Sequence, residues 1–304
     1  MWINSTILAS FQRSLTDIHR VYTSEWGWIE RYGEDYVVIL NEEQRKEELV
    51  ESLFCWIRSH GLSCRRVFLK KRFKKAGPAS EGLLQLYGEQ SFPLETICHE
   101  NGLSYSIRFH GGSSPGLFID QRQNRIFLRK RKIGRLLNLF AFSCSFGLCA
   151  AVAGGQSWNV DLSAKFLEWG KENYRLNGVA PTEHTFLAID ARESLKLLRK
   201  KHIGFDHIII DPPTFSCGRH GKHFSFPRDF ELMLDQVLDL CSEEVTTLFL
   251  STNYRKLQTK GLFLKAQKVA AKKNLQLSLL HGPFPLPDIP LSELPACCWI
   301  EVRR

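Results

Sequence analysis

From Leu136 onward, short apolar runs alternate with intervals of helical length, and that rhythm restricts the fold more than any other feature of the chain. The runs are LLNLF at 136–140, SWNV at 157–160, FLAI at 186–189, FDHIII at 205–210, TTLFL at 246–250 and LQLSLL at 275–280. Between two of them, residues 163–176 read as an amphipathic helix. Such alternation calls for a mostly parallel sheet covered by helices. A parallel sheet binds its ligand beyond the carboxyl ends of its strands. Chemistry is therefore expected at the residues that follow each run.

The chain before this rhythm reads differently. GWIERYGEDYVVIL at 27–40 predicts two strands around a turn at 32–35. Residues 43–60 predict a helix with Leu49, Val50, Leu53, Phe54 and Ile57 on one face and Gly61 as its stop. A short strand is expected at 64–69, and a hairpin at 97–109 turning at Asn101 and Gly102. HGGSSPG at 110–116 is small, polar and proline-bearing, which suits a boundary. The 304 residues are thus expected to form a smaller α+β domain at 1–110, binding substrate, and an α/β domain at 111–304.

Four features sit at the strand ends. FAFSCSFG follows the first run, Asp161 closes the second, Asp190 the third, and Asp211 the fourth, trailed by Pro212 and Pro213. An acidic residue about 20 positions after the first strand–helix turn usually meets a ribose hydroxyl pair. For Asp161 and Asp190 the alternative is an N-cap of the following helix. There is no GxGxxG, which argues against a nicotinamide dinucleotide. A nucleoside without a diphosphate, such as S-adenosylmethionine, fits better. The two prolines fix successive φ angles and remove two donors. They hold the exit from the strand in one extended shape, from which Phe215 can offer a stacking face to a base.

NLFAF (138–142), VDLS (160–163), KENYRLNG (171–178) and DPPTF (211–215), with GLFIDQRQNR (116–125) ahead of them, resemble the class I S-adenosylmethionine-dependent methyltransferases of large-subunit rRNA. The resemblance is to the branch with guanine-N7 and cytosine-5 enzymes of 23S rRNA. It implies a Rossmann-like, seven-stranded class I methyltransferase domain preceded by a smaller α+β domain. The implied cofactor, S-adenosylmethionine, would be held by Asn138, Phe140, Ala141, Ser143, Asp161, Leu162, Ser163, Asp190, Asp211 and Gln121. Asp211, Pro212, Pro213 and Phe215 would present the base. Arg122, Arg219, Lys222 and Asn253 would contact RNA. From the residues alone, Asn138 and Phe140 can equally be core, Gln121 and Arg122 a surface helix turn, and the loop around Arg219 and Lys222 solvated chain. Asn173 either binds the loop above the cofactor or faces solvent.

Two departures bear on the reaction. Cys144 stands where the family usually has glycine, which leaves a non-catalytic RNA-binding protein with a degenerate pocket as one alternative. STNY at 251–254 stands where the cytosine-5 branch carries a nucleophilic cysteine, and Asn253 matches the guanine-N7 branch. Cytosine carbon 5 is a poor nucleophile that needs a transient covalent bond to a thiolate. Guanine N7 carries an available lone pair and no proton, so alignment alone suffices. Cys144 and Cys217 read as bystanders, which favours guanine N7 over cytosine-5 transfer.

Charge points the same way. Lys and Arg number 41 against 32 Asp and Glu, a net +9, with basic clusters at 70–75, 129–135, 199–201 and 272–273. That suits a polyanion, although any single cluster can equally be a solvated surface, and the resemblance implies 23S rRNA or a large-subunit precursor as the partner. Nine cysteines without CxxC spacing suggest reduced thiols and no metal site. No apolar run approaches membrane length, and the first 20 residues do not read as a secretory leader, so a cytoplasmic protein is expected.

Overall fold

The computed structural model describes residues 1–72, 82–91, 93–110, 114–217, 223–242 and 244–304. The chain divides into two compact units, Met1–Arg122 with Leu286–Leu291, and Gln123–Pro285 with Ser292–Arg304. The division at 110 falls short of this boundary and lacks the late return of Leu286–Leu291 to the first unit. Residues 111–113 of the expected boundary stretch lie outside the described residues.

The first unit contains α1 (Ser5–Arg13), β1 (Ile18–Ser24), β2 (Gly27–Tyr32), β3 (Asp35–Leu40), α2 (Lys46–Ser59), β4 (Arg66–Lys71), β5 (Leu84–Tyr87), β6 (Glu95–Glu100) and β7 (Leu103–Arg108). Its sheet runs β1-β2-β3-β4-β5, with β6 and β7 as a separate hairpin. Only β3 and β4 pair in parallel, and α2 supplies the crossover that a parallel pair needs. Leu8 and Phe11 of α1 and Leu49, Leu53, Trp56 and Ile57 of α2 pack on Val21, Ile29, Val38, Leu40, Val67 and Leu69. The β6–β7 turn uses Asn101 (φ 51) and Gly102 (φ 75), the left-handed pair that a two-residue hairpin favours.

This unit also corrects one expectation. Arg122, assigned to substrate, is 2% exposed. It donates from Nη1 to Asp288 Oδ1 (2.9 Å), and from Nη2 to Asp288 Oδ2 (3.0 Å) and the Ile18 carbonyl (3.1 Å). Its guanidinium lies over the Phe11 ring, 4.7 Å from the centroid. Asp288 also accepts from the Arg20 N–H at 2.9 Å. A guanidinium so buried, with both terminal nitrogens engaged, cannot reach a phosphate in solution. The pair ties Leu286–Leu291 to β1. Gln121, assigned to the cofactor, is likewise buried in this unit.

The second unit holds α3 (Arg122–Arg129, after its first residue), β8 (Arg135–Leu139), α4 (Ser145–Val152), β9 (Gln156–Asp161), α5 (Ala164–Leu176), β10 (Thr185–Ala188), α6 (Ala191–Lys200), β11 (His207–Ile210), β12 (Phe215–Cys217), β13 (His223–Ser225), α7 (Phe226–Leu238), β14 (Val245–Thr252), α8 (Thr259–Ala271), β15 (Gln276–Leu279) and β16 (Ala296–Arg303). Seven strands form one sheet in the order β10-β9-β8-β11-β14-β16-β15. β16 is antiparallel to both neighbours, and the other pairs are parallel. The expected seven-stranded, Rossmann-like sheet is present. Leu139 of β8 stands opposite Val160 of β9 on one side and Ile210 of β11 on the other. Strand order therefore reverses at β8, and the crevice of an open α/β sheet opens at such a switch point. Among the described residues, no helix is long and apolar enough to cross a membrane, and no group of three His, Cys, Asp or Glu could hold a metal ion.

Candidate functional site

Beyond β8 the chain turns into α4 through residues 140–144. Phe140 (φ 59), Phe142 (φ 47) and Cys144 (φ 60) are all left-handed. Each costs an L-residue about 1 kcal/mol or more, and such strain persists only where surrounding contacts dictate it. Here they do. The Ala141 N–H donates to the Val160 carbonyl (2.9 Å) and the Cys144 N–H to the Ala141 carbonyl (2.7 Å). The Phe142 N–H donates to Asp161 Oδ2 (2.9 Å). Asn173, fully buried on α5, donates from Nδ2 to the Ser143 carbonyl (3.0 Å), so it takes the loop-binding role of its two readings.

Cys144 fits this loop because of a glycine 26 residues away. A Cβ on Gly170 would stand 2.4 Å from Cys144 Sγ and 2.8 Å from its Cβ. The thiol fills the room that Gly170 leaves on α5, is wholly buried, and is pushed up in pKa by burial. It is neither exposed to a ligand nor a thiolate. Gly170→Ala is expected to cost about 1–3 kcal/mol of stability by overpacking, despite alanine's better helix propensity. In a Cys144→Gly background most of that cost should vanish. A double-mutant cycle by denaturant unfolding measures the coupling, and additive effects would refute the fit.

Asp161, at the carboxyl end of β9, does not cap α5. Ser163 does, its Oγ accepting from the Phe166 N–H at 3.3 Å. The Asp161 carboxylate holds the Phe142 N–H on Oδ2 and the Ser163 N–H on Oδ1, each at 2.9 Å. Burial raises its pKa, opposed by the N–H groups of Ser163, Phe142 and Leu162. A carboxylate has about four lone-pair sites, so capacity for another donor remains. Leu162 beside it leaves 40% of its surface exposed. Asp190, after β10, is the N-cap of α6. Its Oδ1 accepts from the Arg192 N–H (2.9 Å) and Nε (3.1 Å), and its Oδ2 from Arg192 Nη2 (3.1 Å). Burial would raise its pKa, but these donors outweigh it and hold the carboxyl below the usual range.

The fourth feature closes β11. Pro212 is buried, while Pro213, Thr214 and Phe215 are exposed. Phe215 is 58% exposed and opens the β12–β13 hairpin, where it stacks on His223 with centroids 5.7 Å apart. The Phe226 N–H donates to the Thr214 carbonyl (3.0 Å), fixing the base of the hairpin. Asn253 is exposed immediately after β14.

The sheet thus gathers Phe140, Ala141, Ser143, Asp161, Leu162, Ser163, Asp190, Asp211, Pro212, Pro213, Phe215 and Asn253 along one carboxyl edge. Asn138 is corrected. Its buried Nδ2 donates to Asn159 Oδ1 (3.0 Å), part of a network with Ser157 and Tyr174, so its side chain is structural. Gln121 and Arg122 belong to the first unit, and Arg219 and Lys222 lie outside the described residues. Arg192 and Gly170 were not singled out in the sequence. Neither carries a local signal, since each matters through a partner on the loop or sheet edge.

A family model described as S-adenosylmethionine-dependent methyltransferase matches residues 30–289. The chain belongs to this family. The ribosomal RNA large subunit methyltransferase K/L of Aeromonas hydrophila is 30% identical over 281 residues, 86% of this chain and 38% of that protein. The chain spans about two fifths of the length of the curated relatives it matches. SMU.776, a proposed methyltransferase solved with SAH, superposes with a TM-score of 0.79 at 22% identity, over 100% of this chain and 83% of its own. A SAM-dependent methyltransferase from Agrobacterium tumefaciens gives 0.71 at 19% identity, over 94% and 90%. Both likenesses speak for the fold. The cofactor of this methyltransferase family is S-adenosylmethionine.

Proposed function

We propose that this chain is a cytoplasmic RNA methyltransferase acting on a base of 23S rRNA, with guanine N7 as the acceptor. The observation that carries the reading is that the Asp161 corner and the proline elbow end β9 and β11, the two strands flanking β8 at the reversal of strand order. The residues suit the cofactor. Asp161 keeps lone-pair capacity for a ribose hydroxyl, Leu162 offers an apolar face to adenine, and residues 140–143 are pinned for close approach. S-adenosylmethionine supplies an electrophilic methyl on a sulfonium. The chain then has to hold an acceptor nitrogen in line and exclude water, and N7 demands no general base. Phe215 supplies the stacking face, Asp211 an acceptor at the elbow, and Asn253 a polar contact from the neighbouring strand end. A base must leave its stack to reach such a crevice.

Three buried thiols support nitrogen over carbon. Burial pushes Cys144, Cys241 and Cys298 up, Cys241 to about 11 and Cys298 to about 12, away from the thiolate that cytosine-5 transfer requires. The Cys217 side chain lies outside the described residues. The name of the Aeromonas relative supports large-subunit rRNA as the substrate. The expected result is tritiated methyl transfer to deproteinised 23S rRNA with 7-methylguanosine after nucleoside digestion, retained in Cys217→Ala. Label only in DNA, or 5-methylcytosine lost with Cys217, would overturn the reading.

A further inference from the structure

Resting on that functional reading, we infer that Phe284, with Arg255 and Lys256, forms a track for single-stranded RNA flanking the target base. Phe284 is 89% exposed, the most exposed aromatic side chain among the described residues, and makes no ring contact with any of them. It sits between Pro283 and Pro285. Both prolines fix their own φ, and Pro285 also confines Phe284 to extended backbone. The ring is thus presented on a stiff support, which lowers the ordering cost of stacking against it.

Its place in the fold matches the crevice. β15 runs parallel to β11 and β14, and the Leu280 N–H still bonds the Trp299 carbonyl (2.9 Å). The chain therefore leaves β15 at the same carboxyl edge as the proline elbow and Asn253. β11 and β15 are three strand spacings apart in the sheet order, roughly 14 Å at about 4.8 Å each. Between them, the loop after β14 carries Arg255 and Lys256, both exposed and without an ion pair among the described residues.

Charge selects the occupant. From Glu244 to Asp288 the intervening chain has no Asp or Glu and seven Lys or Arg. Lys265 and Lys273 are engaged by Glu231 and Asp235 of α7 and by Asp239 just after it, whereas Arg255 and Lys256 at the carboxyl edge have no such partner among the described residues. An exposed aromatic and unpaired cations that leave the same sheet edge on an acid-free segment match a stacking platform with an electrostatic funnel. The partner is a single strand whose phosphates meet Arg255 and Lys256 and whose base stacks on Phe284.

The test uses the full chain with deproteinised 23S rRNA, and a single-stranded RNA of about 12 nucleotides with 2-aminopurine scanned through it. Phe284→Ala is expected to raise KM for rRNA about tenfold, leave kcat and S-adenosylmethionine affinity unchanged, and abolish 2-aminopurine quenching at one position. Phe284→Trp should restore all of these. Arg255→Ala/Lys256→Ala should make the slope of log affinity against log salt shallower by about 1.4. A wild type that methylates rRNA while Phe284→Ala keeps KM within twofold overturns the track alone. A wild type that methylates no RNA overturns the functional reading, and the track with it.

Discussion

Asp161→Ala is expected to weaken S-adenosylmethionine binding by about a hundredfold or more, read by titration calorimetry. Hydrogen bonds to a charged group contribute about 1.5–3 kcal/mol each. The substitution removes the acceptor of the Phe142 N–H and, on the proposed reading, the acceptor for a ribose hydroxyl. It also releases the Phe142 N–H contact in a loop whose Phe142 is left-handed, so the loop is expected to relax. Asp161→Asn keeps one acceptor oxygen but sets an amide NH2 against the Phe142 or Ser163 N–H, so an intermediate loss is expected. Acid provides a second reading. Burial raises the pKa against the opposing backbone donors, so the acceptor is present above the raised value and lost as pH falls through it. Affinity should therefore decline at a higher pH than an ordinary aspartate, near 3.9, would impose. Unchanged affinity in Asp161→Ala would remove the carboxylate from the cofactor's surroundings.

The parts of this molecule legible in the sequence are those set by near neighbours in the chain. β8, β9, β11 and α5 fall where apolar runs and one amphipathic stretch place them. Asn101–Gly102 announces its hairpin through backbone preference alone. Missed features depend on distant partners. β16 inserts between β14 and β15, pairing Leu250 with Cys298 and Leu279 with Ile300. Nothing local in ACCWIEVR specifies that insertion, because Trp299 and Ile300 are both buried on a sheet covered on two faces and so do not alternate. α1 and β1 carry little local signal for the same reason, their apolar residues being few and their packing tertiary. At the candidate site, the sequence places DPPTF and Asp161 at strand ends, and β9 and β11 do end there. The tolerance of Cys144 does not, since it is written in Gly170 on another element. The burial of Arg122 is hidden for the same reason, since its partner Asp288 lies 166 residues away.

That pair carries the other large expectation. Asp288→Ala should destabilise the first unit by about 3–5 kcal/mol, the usual result of stranding one buried charge. The Arg122 guanidinium would keep only the Ile18 carbonyl and Glu100, whose Oε2 stands 3.6 Å from Nε, and the Arg20 N–H would lose its acceptor. Arg122→Met should be comparably costly, because Asp288 and Glu100 then remain buried without the cation. The double variant should lose less than the sum of the two. Denaturant unfolding measures all three. KM for RNA in Arg122→Met, at a temperature where it stays folded, separates this reading from a substrate contact by remaining unchanged. The pH dependence has a defined sign. Burial pushes Asp288 up, but the Arg122 charge and hydrogen bonds outweigh it and hold the carboxyl below its ordinary range. The stabilisation is therefore full above the unfolded value of about 4 and drains away as pH falls through the depressed one. Wild type and Asp288→Ala should differ by a constant amount from pH 5 to 8 and converge below about pH 4. A difference that instead shrinks on going from pH 5 to 8 would show that the stability comes from another group.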